Sequence, residues 1–138
     1  MKVLIDLNIL LDVSLNRIDF VNDSAEVLSL AVNKKIDGYI SAISTDTFFY
    51  IVAKNINTNK AKSDLRDYLT FLNIAKVDIN IIRLGLTSNF KDYEDALQYF
   101  SGSSVGCDCV VTRNPRDFKH CQQPIYTPKE FLELNKRK

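Results

Sequence analysis

Three aspartates, Asp6, Asp95 and Asp117, each stand where an apolar run gives way to a polar, helix-starting one. Asp6 closes Lys2-Val3-Leu4-Ile5, and Asp117 closes Val110-Val111-Thr112-Arg113-Asn114-Pro115-Arg116-Asp117-Phe118. Asp95 sits at the head of Asp92-Tyr93-Glu94-Asp95-Ala96-Leu97, and Asp46 in Ser44-Thr45-Asp46-Thr47 is a fourth, weaker candidate. If the apolar runs are parallel strands, their carboxyl ends share one edge of a sheet, where open α/β folds bind ligands. Carboxylates gathered there repel one another unless a hard divalent cation neutralises them, which points to a metal site for phosphate chemistry. Each acid also has a plainer structural role available. Asp6 and Asp92 can cap the helices that follow them, and Glu94 and Asp95 are favoured by the helix dipole in a first turn.

The elements that must position these residues alternate along the chain. Val3-Leu4-Ile5 is a short continuous apolar run, as expected of a strand covered on both faces. A short helix is predicted over 8–15, then one opened by the capping-box pattern Asp23-Ser24-Ala25-Glu26. Gly38-Tyr39-Ile40-Ser41 reads as the second strand, and Ser44 as the start of a helix carrying Phe48, Ile51 and Val52. Ala61, Leu65, Tyr68, Leu69 and Leu72 step by three and four along another helix. Val77-Asp78-Ile79 reads as the third strand and 81–86 as a short helix. Asp92 caps a helix predicted to end at Gly102. Cys109-Val110-Val111-Thr112 and Ile125-Tyr126 complete the strands, and Thr127-Pro128-Lys129-Glu130 combines a capping box with proline at the first helical position. Such alternation predicts a three-layer α/β/α sandwich around a central parallel sheet.

At 138 residues, 46% hydrophobic and 25% charged, the chain fits one globular domain over 1–138. No apolar stretch reaches the roughly 20 residues of a membrane span, and Val3-Leu4-Ile5 is too short for a signal peptide, so a cytoplasmic location is expected. Cys107, Cys109 and Cys121 make an odd count without framework spacing, which reads as reduced thiols. Cys107-Asp108-Cys109 beside His120-Cys121 lacks the paired spacing of a zinc site, and His120 reads as a surface or loop residue. A net charge of +1 excludes binding of nucleic acid through bulk positive charge. Local patches remain: Arg113, Arg116 and Lys119 around the last acid, Lys54, Lys60, Lys62 and Arg66 in the middle, and the tail Lys136-Arg137-Lys138.

Taken together, Val3-Leu4-Ile5-Asp6-Leu7-Asn8-Ile9-Leu10-Leu11-Asp12, Asp92-Tyr93-Glu94-Asp95-Ala96-Leu97-Gln98-Tyr99 and Val110 to Phe118 resemble the PIN-domain family in order and spacing. That family comprises metal-dependent ribonucleases, among them the toxins of VapBC-type toxin–antitoxin pairs. The resemblance implies an endoribonuclease using Mg²⁺ or Mn²⁺, with Asp6, Asp95 and Asp117 as metal ligands and Asp46 as the fourth acid. It implies accessory roles for Asn8, Thr112 and Asn114, while Arg113 and Arg116 are candidates for holding phosphates of the RNA. An antitoxin protein and a second copy of the chain are the further partners that it admits. Leu7 stands where the family usually has a hydroxyl residue, and Asp46 where it often has a glutamate. Two other readings stay open: a PIN-like domain that binds RNA or protein without cutting, and a phosphotransfer domain with an aspartate nucleophile. The second commonly needs another aspartate where this chain has Asn8.

Overall fold

In the computed structural model, which describes residues 1–137, the strands form one parallel sheet in the order β3-β2-β1-β4-β5. The strands are β1 (Lys2–Ile5), β2 (Asp37–Ser41), β3 (Asn73–Ala75), β4 (Cys109–Val111) and β5 (Ile125–Tyr126). Seven α-helices are found among the described residues: α1 (Leu7–Ser14), α2 (Val21–Val32), α3 (Ala42–Asn55), α4 (Thr58–Tyr68), α5 (Ile79–Thr87), α6 (Tyr93–Ser104) and α7 (Pro128–Lys136). A 3₁₀ turn spans Pro115–Phe118. None of these helices is long and apolar enough to cross a membrane. Of the basic tail, Lys136 and Arg137 are exposed, and Lys138 lies outside the described residues.

The sheet is buried on both faces, and β1 supplies both. Val3 and Ile5 enter the larger core with Leu10, Val27, Phe48 and Phe131, whereas Leu4 faces a smaller one with Tyr99, Val110 and Phe118. This is the period-two alternation of a strand, and it makes a three-layer α/β/α sandwich with β1 at its centre. From β1 the chain builds outward through β2 and β3, then returns to add β4 and β5 on the other side. The order therefore reverses between β1 and β4, and the crevice at their carboxyl ends is where such folds take ligands.

Five local expectations are corrected. The third strand is Asn73-Ile74-Ala75, and Asp78 instead caps α5, its carboxylate accepting from the Ile81 N–H so that the helix starts at Ile79. Helix α2 begins at Val21 after the turn Arg17–Phe20, so Asp23 and Glu26 lie inside it and form no capping box. Helix α3 is capped by Ser41, whose hydroxyl accepts from the Ile43 N–H, three residues before Ser44. Leu69 is exposed, because α4 ends at Tyr68. Gly102 does not stop α6 but lies within it, pressed on β1: a Cβ there would sit 2.8 Å from Leu4 Cδ2. The box Thr127–Glu130 forms as read, with Pro128 at the start of α7.

Gly102 thus sets the spacing of α6 over β1, and through it the position of Asp95 about two turns earlier. Gly102→Val is expected to cost about 1–3 kcal/mol of stability through overpacking against Leu4. Urea denaturation measures this; an unchanged midpoint would show that α6 has room to lift off the sheet.

Candidate active site

Asp6 follows β1 and occupies the N-cap position of α1, yet its side chain makes no cap hydrogen bond. The carboxylate is 3% exposed and points across the crevice. Thr112, directly after β4, donates its hydroxyl to Asp6 Oδ2 at 2.8 Å. Gln98, on the inner face of α6, donates Nε2 to Asp6 Oδ1 at 3.1 Å. The same nitrogen reaches Asp95 Oδ1 at 3.5 Å, a weaker contact, so one amide stands between the two acids. Gln98 cannot present its oxygen to them, because Oε1 accepts from the Leu7 N–H at 3.1 Å. The first free amide of α1 therefore sets the direction of the Gln98 dipole.

Burial raises the pKa of Asp6 above the ordinary carboxylate range, against the hydrogen bonds from Thr112, Gln98 and Asn8 that favour its ion. Asp95 is pushed up to about 7 by burial and then by the charges of Asp92, Asp6, Asp117 and Glu94. Asp92 meanwhile caps α6, accepting from the Asp95 N–H at 2.9 Å. Glu94 is also raised, first by burial, with the charges of Asp92, Asp6 and Asp46 adding to it and a hydrogen bond from Thr47 opposing it. Five acids from three separate segments, Asp6, Asp92, Glu94, Asp95 and Asp117, thus feel one another at this end of the sheet, and Asp46 adds its charge from α3.

Asp117 and Arg116, on the 3₁₀ turn, join Asp95 along the wall of a cavity of about 280 Å³, shared with Phe90, Lys91, Asp92, Lys119 and His120. Phe118, the last residue of that turn, is fully buried and anchors it. The Asn114 N–H donates to Thr112 Oγ1 at 3.1 Å and secures the loop after β4. Asn8 Oδ1 accepts from Arg17 at 3.3 Å.

Two expected residues lie elsewhere. Asp46 is exposed and lines a separate hollow with Tyr50 and Lys54, reaching the site only as a charge felt by Glu94. Arg113 turns away from the cavity that holds Arg116. Its Nε lies 2.9 Å from Asp12 Oδ2, and its guanidinium lies 4.0 Å from the centroid of the Phe20 ring. Successive side chains leaving a strand point to opposite faces, so with Thr112 on Asp6, Arg113 goes to the other side. Asp12 is fully buried and also holds Ser24 Oγ at 2.9 Å and Arg17 at 3.4 Å. Gln98, Glu94 and Asp12 were not read from the sequence as site or anchoring residues. The one local hint was Gln98, three residues after Asp95 and so on the same helix face.

The oxygen-only donors suit a hard ion such as Mg²⁺ or Mn²⁺. Among the described residues no group of three or more His, Cys, Asp or Glu side chains is placed to enclose a metal. Mg²⁺ commonly takes one or two carboxylates and keeps several waters, and Asp6 with Asp95 is such a pair. The neutral donor between them and the raised pKa values mark a place where positive charge is wanted, so the residues fit the ion. The thiols do not compete for it: burial pushes both Cys107 and Cys121 up to about 12.

A family model described as PIN domain matches residues 2–116. Ribonuclease VapC1 of Aquifex aeolicus (strain VF5) is 29% identical over 137 residues, covering 96% of this chain and 94% of that protein. A chain in the crystal structure of VapBC2 from Rickettsia felis bound to a DNA fragment from their promoter is similar in fold. It superposes with a TM-score of 0.67 at 21% identity, over 91% of this chain and 97% of that one.

Two outcomes follow from the electrostatics. Asp95 has its folded pKa raised from 3.8 to about 7, so the native state retains a proton that the unfolded state has lost across that window. Stability of the metal-free protein should therefore fall as pH rises from about 4 to about 7, and Asp95→Asn should flatten the decline in thermal melts. A wild-type melt that rises through this window would contradict the clustering of charge. Asp12→Ala should cost about 3 kcal/mol in chemical denaturation by leaving Arg113 without its buried partner; a loss below about 1 kcal/mol would make the pair incidental.

Proposed function

Since the chain belongs to the PIN-domain family, we propose that it is a metal-dependent endoribonuclease, the toxin half of a toxin–antitoxin pair. The observation that carries this reading is the buried Asp6 carboxylate, which Thr112 and Gln98 hold across the crevice and which shares the Gln98 amide with Asp95. Its likeness to a relative named as a ribonuclease supports the same chemistry. Asp6 and Asp95 would hold the ion directly, with Asp117 reaching it from the cavity wall. When bound, Mg²⁺ or Mn²⁺ would activate water for in-line attack and offset the charge developing on the phosphodiester.

The chain's own residues do the rest. Thr112 and Gln98 fix both oxygens of Asp6, so the carboxylate is oriented before substrate arrives. Arg116 and Lys119, exposed beside Asp117, hold flanking phosphates without regard to sequence. Cleavage leaves a 5′-phosphate and a 3′-hydroxyl, as the family resemblance implies. The protein acts as a single domain in the cytoplasm, restrained by a small antitoxin encoded beside it. A second reading, a PIN domain that binds RNA without cutting it, draws on one observation: Asp46 is exposed and lines a different hollow, so the fourth acid is displaced.

One experiment separates the two. Asp6→Asn and Asp117→Asn are expected to lower RNA hydrolysis at saturating Mn²⁺ by about 100-fold or more, since loss of a metal ligand removes several kcal/mol of charge stabilisation. Circular dichroism should be unchanged, because Asn at position 6 still accepts one hydrogen bond and position 117 is exposed. Wild-type rates in both variants would overturn the hydrolytic reading, and a wild-type protein that binds RNA but leaves it intact would establish the second.

A further inference from the structure

Phe90, in the loop before α6, is held from several sides. It stacks on Tyr99 with ring centroids 5.7 Å apart at 26°, and meets Phe118 at 6.2 Å and Phe100 at 6.0 Å edge-to-face. His120, exposed, stands against it at 6.1 Å and 64°. The loop carrying His120 is itself tied to α6. Tyr99 donates its hydroxyl to Gln123 Oε1 at 2.7 Å and accepts from the Gln122 N–H at 3.2 Å. The result is a rigid aromatic wall, half-buried at Phe90, on the cavity that Asp95 and Asp117 also line.

A packing role alone explains Tyr99 and Phe118, but not the company that Phe90 and His120 keep. Lys91, Arg116 and Lys119 line the same cavity, and among the described residues none of the three forms an ion pair, although carboxylates stand on the same walls. Aromatic faces beside unpaired cations are what a nucleotide needs: a π-surface for the base and positive charge for its phosphate. The volume, about 280 Å³, falls near the lower end of small-molecule sites, the scale of one nucleotide rather than a duplex.

We propose that this cavity is a nucleotide subsite, in which one unpaired base lies against Phe90 and His120 while Arg116 and Lys119 hold its phosphate next to the carboxylates. The assignment rests on the reading of those carboxylates as an RNA phosphodiesterase site. A base can reach the wall only when unstacked from its neighbours, as bases are in loops and single strands. Stacking tolerates any base, so the subsite carries no sequence preference.

The test compares adenosine 5′-monophosphate, which has no diester to cleave, with ribose 5-phosphate, by calorimetry in the presence of Mn²⁺. Wild type is expected to bind the nucleotide about 5-fold or more tightly than the sugar phosphate, the lower bound for one stacked base. His120→Ala, at an exposed position, and Phe90→Leu, which keeps apolar bulk and is checked by circular dichroism, should each reduce that preference while leaving ribose 5-phosphate binding unchanged. Equal binding of the two ligands, no binding of either, or a preference that survives both substitutions would overturn the subsite. RNA hydrolysis by the same preparations keeps the two ideas apart. Cleavage without base preference removes the subsite alone, whereas base preference without cleavage removes the hydrolase and leaves the subsite standing.

Discussion

Burying an ionisable carboxylate between two strand ends is the constraint around which this molecule is arranged. An unpaired charge in such a place is expensive, so both oxygens of Asp6 must find donors. Thr112 serves one and Gln98 the other, and each donor is then held in turn: Thr112 through the Asn114 N–H, Gln98 through the Leu7 N–H. A single acidic side chain thereby joins β1, the loop after β4, the start of α1 and the inner face of α6. Burial still raises its pKa, which leaves the site in want of positive charge.

The sheet order explains why these four segments meet. Because β1 is central and the chain turns back between β1 and β4, the ends of two adjacent parallel strands open into one crevice with no connection crossing it. Helix α6 reaches the crevice by lying close on Leu4, which the missing side chain at Gly102 permits. Its inner face then carries Gln98 towards Asp6, and its first turn holds Asp95 at the rim. Ser101, one turn on, adds a hydrogen bond to Ser41 at the end of β2 at 2.9 Å, so α6 is fastened to β2 as well as to the end of β1.

Charge is separated into two compartments. On one side of β4, carboxylates stand together, among the described residues without cations paired to them, and burial first, then their mutual charge, pushes Asp95 up to about 7. On the other, Asp12 is fully buried but paired, with Arg113 at 2.9 Å, Arg17 at 3.4 Å and the Ser24 hydroxyl at 2.9 Å. In the first arrangement burial and like charge both oppose ionisation; the second is paired and anchors α1, α2 and the loop after β4 to one another. Thr112 and Arg113 are neighbours in the chain but serve opposite compartments, so the buried ion pair also steadies the residue that orients Asp6.

Much of this was readable in the residues themselves. Short apolar runs alternating with three-and-four periodicity specified the layers; Asp92 and the Thr127–Glu130 box marked helix starts; and Asp6, Asp95 and Asp117 stood at element ends because strand and helix boundaries are written in a few adjacent side chains. Local rules failed where a neighbour in space outweighed a neighbour in sequence: Gly102 stayed helical against Leu4, and Asp78 capped α5 instead of entering a strand. The tertiary structure alone decided which donors meet the acids. Gln98 lies 92 residues from Asp6, Thr112 106 residues away, and Arg113 finds Asp12 rather than the cavity. No periodicity spans such separations. They are set by how helices and loops pack over the finished sheet, and only there do Asp6 and Asp95 come to share one amide.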